Sequence, residues 1–262
     1  MRIPIHQLDA FTARLFGGNP AAVCPLDAWL PDARMQAIAA ENNLSETAFC
    51  VREGDGYALR WFTPSLEVDL CGHATLATAH VVFERLQPGS TAVRFRTRVA
   101  GELGVTKQGE WLELDFPVRP STPCAAPAGL ETALGIRARE VRRSVRDILA
   151  VLDSEAEVRA LAPHMDALAA LGALGVIVTA RGETVDFVSR FFAPGMGVDE
   201  DPVTGSAHCV LTPYWAEVLG KQTLAARQVS RRGGELRCAL RGERVGIAGR
   251  VVPYMEGVLE LD

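Results

Sequence analysis

The chain has 262 residues, 48% of them hydrophobic, and a formal net charge of -5 at pH 7. That length holds one large domain or two of about 120 to 130 residues, with enough apolar material for a substantial core. The acidic balance, with no lysine- or arginine-rich run of the length such partners favour, argues against a nucleic-acid partner, and no apolar stretch is long enough to span a membrane. The N-terminal residues MRIPIHQLDAFT carry no signal-like apolar run, so the expected location is cytoplasmic. Cys24, Cys50, Cys71, Cys124, Cys209 and Cys238 are scattered, without CxxC or zinc-like cysteine–histidine spacing. They read as free thiols in a reducing compartment.

In chain order, Ile3 to Ala10 alternates as a strand. Phe16 to Pro20 punctuates as a turn, and Ala21 to Cys24 is a short strand. Pro31 and Asp32 suit a helix first turn, with Met35, Ile38 and Ala39 at helical spacing up to Asn42-Asn43. Leu44 to Thr47 exits into a strand over Ala48 to Arg52, and a hairpin at Gly54-Asp55-Gly56 leads to a strand from Tyr57 to Thr63. After a loop, His73 to Leu86 is apolar on most of its surface, which predicts a buried central helix. Strands follow at Ala92 to Phe95, Gly101 to Thr106 and Trp111 to Phe116.

Pro117 to Pro127 holds four prolines and reads as a linker. The run Arg137 to Arg146 mixes charge with apolar residues and reads as an exposed face. A helix is expected near Ser154 to Ala170, then strands at Val176 to Ala180 and Val185 to Phe192. A loop from Ala193 to Gly205 precedes a helix from Ser206 to Leu219, which Pro213 should kink or split. Strands at Arg237 to Leu240, Arg244 to Ile247 and Leu259 to Asp262 close the chain.

The two halves repeat one another. Arg60 to Asp69 (RWFTPSLEVD) reappears as Arg190 to Asp199 (RFFAPGMGVD), identical at Arg60/Arg190, Phe62/Phe192, Pro64/Pro194, Val68/Val198 and Asp69/Asp199. Each copy runs into a glycine and an apolar helix: Gly72-His73-Ala74 and Gly205-Ser206-Ala207. The expectation is an α+β protein of two pseudo-symmetric halves, residues 1–118 and 119–262, each a sheet around a central helix. The last strand is free to pack on the N-terminal half.

A helix start exposes unpaired N–H groups and a partial positive charge, which bind carboxylate or phosphate. Gly72 and Gly205 let ligand atoms approach the backbone. A plainer reading makes them turn glycines; their duplication favours a shared cleft. His73, at such a start, either caps the helix or donates to an acidic ligand and moves a proton. Glu46 follows a helix end and precedes Ala48 and Phe49. An apolar wall there would disfavour its charged form and suit a general acid/base, the alternative being a surface carboxylate. Of Asp199, Glu200 and Asp201, Asp201 is the one placed to enter a cleft. Cys71, beside a helix dipole, is a candidate reactive thiolate; its counterpart Thr204 has no thiol. Phe11, Asn19, Met196 and Pro213 are candidate pocket walls.

Five segments carry a family resemblance: Leu8 to Thr12 (LDAFT), Gly17 to Val23 (GGNPAAV), Asn43 to Phe49 (NLSETAF), Cys71 to Thr75 (CGHAT) and Asp201 to Ala207 (DPVTGSA). Together, and in this order, they make the chain similar to the phenazine-biosynthesis PhzF-like isomerase family. That family belongs to the diaminopimelate epimerase and proline racemase fold group. The resemblance implies two diaminopimelate epimerase-like domains, an interdomain active site, a homodimer, and no metal or organic cofactor. It implies Glu46 as acid/base, His73 and Asp201 as substrate contacts, and Ser45, Gly72, Gly205 and Ser206 as substrate-binding groups. The implied reaction resembles isomerisation of trans-2,3-dihydro-3-hydroxyanthranilate, a small acidic substrate. Two rivals stand beside it: a racemase or epimerase using Cys71 as a base, and a non-catalytic small-acid-binding protein.

Overall fold

Where hydrophobic alternation is strongest the backbone is extended. A computed structural model describes residues 1–262 and divides them into two units, Met1–Asp115 with Ala248–Asp262, and Phe116–Ile247. The first unit contains β1 (Arg2–Ala10), β2 (Asn19–Leu26), α1 (Asp32–Asn42), β3 (Glu46–Glu53), β4 (Gly56–Phe62), β5 (Glu67–Val68), α2 (Gly72–Val81), β6 (Ala92–Arg96), β7 (Glu102–Gln108) and β8 (Trp111–Pro117), the last running just past its boundary. β1 and β2 are antiparallel, β2 and β3 parallel, and β3 and β4 antiparallel. β6 joins β4 in parallel and continues antiparallel through β7 and β8.

α2 is buried from Gly72 to Ala79. A helix apolar all round has no face for water, so the sheet closes around it. The helical pattern continues to Leu86, but the last turn, Val82–Leu86, widens to a π-turn closed by Gln87 N–H on the Val82 carbonyl. α1 covers the opposite face of the sheet. Its Met35, Ile38 and Ala39 pack with Ile3, Ile5, Ala22, Cys24, Phe49 and Phe62. It ends at Asn43 in the left-handed conformation, φ 47°, where a short polar side chain is tolerated.

The second unit contains β9 (Thr122–Pro123), α3 (Leu130–Leu134), β10 (Glu140–Arg143), β11 (Asp147–Val151), α4 (Glu155–Ala160), α5 (Met165–Ala169), β12 (Gly175–Arg181), β13 (Phe187–Phe192), α6 (Gly205–Leu219), β14 (Thr223–Gln228), β15 (Gly234–Arg241) and β16 (Arg244–Gly249), which crosses the boundary at Ile247. β17 (Val251–Glu260) returns to the first unit and pairs antiparallel with β1, from Arg2–Glu260 to Ala10–Val251. It starts eight residues before the expected Leu259. Its middle is exposed, so its sequence shows no buried alternation.

In the second unit β11 and β12 are parallel, β12 and β13 antiparallel, β13 and β14 parallel, and β14 and β15 antiparallel. Val176, Val178, Val188 and Phe192 form a core with residues of α3, α4 and α5. The other face takes α6, where Trp215 Nε1 donates to Thr179 Oγ1 at 3.0 Å and the Trp215 ring stacks on Phe187. The single helix expected over 154–170 is two, α4 and α5. Pro163 lacks an N–H and forces extended backbone before it, so the helix stops. Ser154 caps α4 by accepting from Glu157 N–H.

Pro213, by contrast, does not split α6, which runs unbroken from Gly205 to Leu219. The carbonyl that Pro213 leaves without a donor, on Cys209, accepts the backbone N–H of Arg119 at 3.0 Å. The missing bond is replaced from outside the helix.

The repeated Arg-x-Phe forms the same clamp twice. Arg60 lies over the Phe62 ring, grips both Glu67 oxygens at 2.7 Å, and reaches Asp32 at the start of α1. Arg190 lies over Phe192, holds both Glu200 oxygens, and donates to the carbonyls of Val158 and Leu161 at the end of α4. Planar bidentate pairing of this kind fixes a loop against its strand. Glu200, one of the three consecutive acids, is therefore structural.

Candidate active site

In the first unit the site begins with a close approach of backbone to backbone. Gly18 adopts φ +61°, and a Cβ there would lie 2.1 Å from the Ala10 carbonyl oxygen. Only glycine permits that turn, and it delivers Asn19, fully buried, as the first residue of β2. β2 runs beside β3, whose first residue is Glu46. α2 starts at Gly72, so the chain brings Asn19, Glu46, Cys71 and His73 together. Glu46 Oε2 lies 3.0 Å from His73 Nε2, with His73 side chain 5% and Glu46 18% exposed. The pair is ionic rather than a well-aligned hydrogen bond, since the carboxylate oxygen lies off the N–H direction.

The wall beside Glu46 differs from the expected one. Phe49 points to the opposite face of the sheet, into the α1 core, and the group that meets the carboxylate is an imidazole. Burial opposes a charge on His73, but the neighbouring Cys71 and Glu46 outweigh it and hold its pKa well above the usual histidine value. A neutral Cys71 thiol carries no charge to share, so the Glu46 carboxylate at 3.0 Å is what favours imidazolium. Asn19 Nδ2 donates to His73 Nδ1 at 3.1 Å, leaving the Nε2 proton for Glu46. Turned over, the same amide offers an oxygen to the doubly protonated ring, so one asparagine serves both states.

Cys71 does not behave as the sequence suggests. Burial, reinforced by the Glu46 carboxylate, pushes its pKa up to about 11, against any help from the helix dipole. Its Sγ lies 3.5 Å from His73 Nδ1 and 3.9 Å from Nε2, beside the ring between the two nitrogens. Donor atoms of Glu46, Cys71 and His73 all fall within 4.8 Å of one another, and these residue types can hold a metal ion. With the sulfur beside the ring rather than ahead of either nitrogen, shared coordination of one ion requires the imidazole to turn.

In the second unit Asp201, Gly205 and Ser206 gather at the start of α6, with Gly205 buried and Ser206 half-buried. Thr204 Oγ1 donates to Asp201 Oδ2, and Asp201 N–H donates to the Phe191 carbonyl. Gln228, at the end of β14 and fully buried, accepts from Thr204 N–H at 2.9 Å. Its amide donates to the Asp201 carbonyl at 2.7 Å and to Thr204 Oγ1 at 3.2 Å. Gln228 thus braces the whole Asp201-to-Gly205 loop, a role no local sequence signal announces. His208, fully buried, donates from Nδ1 to the Thr204 carbonyl, and burial takes its pKa down to about 4.

The two helix starts match. Neither Cys71 nor Thr204 makes a side-chain cap, neither first turn holds an acidic residue, and each N-cap carbonyl accepts a side-chain bond from four residues on, Thr75 or His208. Uncapped, their first-turn N–H groups remain for an anionic ligand. Ser45 stands next to Glu46, outside any strand and half-buried. Met196 is exposed, and Phe11 is wholly buried.

The sequence and fold of the chain resemble those of known proteins. The model of the phenazine biosynthesis-like (PhzC-PhzF) proteins matches residues 8–257. An uncharacterized isomerase of Pseudomonas aeruginosa is 57% identical over 262 residues, covering 100% of both chains. A solved PhzF-family phenazine biosynthesis protein of Enterococcus faecalis is 48% identical with a TM-score of 0.97, again over 100% of both chains. A hydroxyproline epimerase of Agrobacterium vitis shares the fold at 12% identity and a TM-score of 0.65, covering 100% of this chain and 93% of its own.

Proposed function

The chain belongs to the phenazine biosynthesis-like family and is an isomerase, and from that premise we propose that it moves a proton on a small carboxylate-bearing substrate without a cofactor, using Glu46 as general acid/base. The observation that carries this reading is the buried Glu46–His73 pair, 3.0 Å apart, at an uncapped helix start. A carboxylate oxygen takes a proton from one carbon of the bound acid and returns it to another. The His73 imidazolium stands beside it to balance charge as it builds on substrate or base. In the first unit the proposed substrate-binding groups are the helix-start N–H of Gly72 and the neighbouring Ser45; in the second they are Gly205, Ser206 and Asp201.

The substrate class resembles trans-2,3-dihydro-3-hydroxyanthranilate, and the working form is a cytoplasmic homodimer, which light scattering would test. Cys71 gains no support as a racemase base, because its thiol is held near 11. Proton NMR in deuterated water, with that dihydro acid and a panel of small amino acids, tests the reaction. Glu46-dependent conversion or hydrogen exchange supports isomerisation. Binding without exchange in every compound would turn the reading toward a non-catalytic acid-binding protein.

A further inference from the structure

Strand pairing aligns the two halves residue by residue. Thr47 pairs with Phe62, and Val176 with Phe192. Phe62 and Phe192 are equivalent in the repeat, so Glu46 corresponds to Gly175. On the next strand Ala21 lies beside Glu46, and Asp147 beside Gly175. The second unit therefore has no acid where the first has its Glu46, and carries one on the adjacent strand instead. That carboxylate reaches over the empty position: a Cβ on Gly175 would lie 3.1 Å from Asp147 Oδ1 and 2.3 Å from the Phe191 ring.

Asp147 is 3% exposed. Ile148 and Ala150 face the core made with α3, α4 and α5, so alternation turns Asp147 to the α6 side. Its backbone N–H and carbonyl are engaged by Ser144, but no side chain or backbone donor reaches its carboxylate, and no cation lies within ion-pair distance. Arg146 and Arg119 act on it only from further away, and desolvation raises its pKa. A buried carboxylate without a partner is costly and is normally paired. β11 and β12 begin, and β13 and β14 end, at the same edge of the unit. Phe191 there accepts from Asp201, and Gln228 there braces Thr204. Asp147 thus shares one end of the second unit with the uncapped start of α6.

We propose that Asp147 contacts the substrate and accepts hydrogen bonds from the ammonium group of a small amino acid, whose carboxylate is taken by the N–H groups at the start of α6. The proposal rests on the isomerase reading for the position of the site, but not on turnover. Calorimetry on the full chain compares matched probes: each enantiomer of proline against cyclopentanecarboxylate, and of 2-aminobutyrate against butyrate. The wild type is expected to bind at least one amino acid more tightly than its deaminated partner. Asp147→Asn is expected to weaken that amino acid by about 10- to 100-fold, the loss of one charge-assisted hydrogen bond. It should leave the deaminated acid unchanged. The variant should melt no lower than the wild type, since no partner within the chain is lost and a desolvated charge is removed.

Equal weakening of both members of a pair, an unchanged affinity, or no amino acid bound at all would overturn the proposal. Hydrogen exchange dependent on Glu46 is measured separately on the same panel. Selective binding without exchange would remove the isomerase reading and leave the role of Asp147 standing.

Discussion

At the residue scale, proton chemistry depends on the 3.0 Å approach of Glu46 to His73. Glu46→Gln keeps the shape and a polar contact but cannot exchange a proton. Turnover should fall by about 10²- to 10⁴-fold with the circular dichroism spectrum unchanged, while the melting temperature drops as His73 loses the charge that stabilises its imidazolium. Cys71→Ser should retain near-normal turnover, and the wild-type thiol should resist iodoacetamide at pH 7 to the same degree as the buried Cys24 and Cys50. Gln228→Leu leaves Thr204 N–H and the Asp201 carbonyl without their partner. It should raise KM more than it lowers kcat if Asp201 is a binding group, which steady-state kinetics will show. Glu46, His73 and Asp201 stand out in the sequence because they sit in short recognisable motifs, and Asn19 follows Gly17-Gly18 in another. The pairing of Asn19 with His73, 54 residues away, leaves no local pattern, and Gln228, whose partner is 24 residues away, lies in no motif at all.

At the element scale, the repeat in the sequence is a repeat of clamps. Arg190 and Glu200 are both largely buried, with side-chain exposures of 12% and 20%. Removing one partner strands the other, so Arg190→Met should lower the unfolding free energy by about 3 kcal/mol in urea titration. The sequence shows the identity of Arg60 and Arg190 but not their acids, because Glu67 and Glu200 lie seven and ten residues on, at different repeat positions. Proline had two different outcomes for similar reasons. Pro163 ends a helix because nothing compensates it, whereas at Pro213 the Arg119 N–H takes the orphaned carbonyl. Hydrophobic spacing locates α2 and α6 to within a few residues. β14 has no counterpart among the expected strands; it pairs in parallel with the distant β13 and antiparallel with β15 through the short loop 229–233.

At the scale of the whole molecule, buried titratable groups set the pH range of stability. His6 and His80 have lowered pKa values because burial disfavours their charge, and His208 is taken down to about 4. The unfolded chain binds these protons more readily, so stability should begin to fall as pH drops below about 6.5. A second loss should follow below about pH 4.5, as Glu67, Glu140, Glu155 and Asp186, held low by hydrogen bonds and basic partners, become protonated. His73 acts in the other sense: its raised pKa contributes stability below the ordinary value of about 6.5, which is lost as pH rises through the elevated one. Melting temperatures measured from pH 4 to 9 should trace a plateau bounded on both sides. The return of β17 to β1, with Leu261 N–H bonded to the Met1 carbonyl, has a consequence during biosynthesis. The second unit leaves the ribosome complete, while the first must wait for the final fifteen residues before its edge strand is covered. Vectorial folding is thereby inverted: the part begun first is finished last, and a stalled or truncated nascent chain exposes β1 as an open template for aggregation.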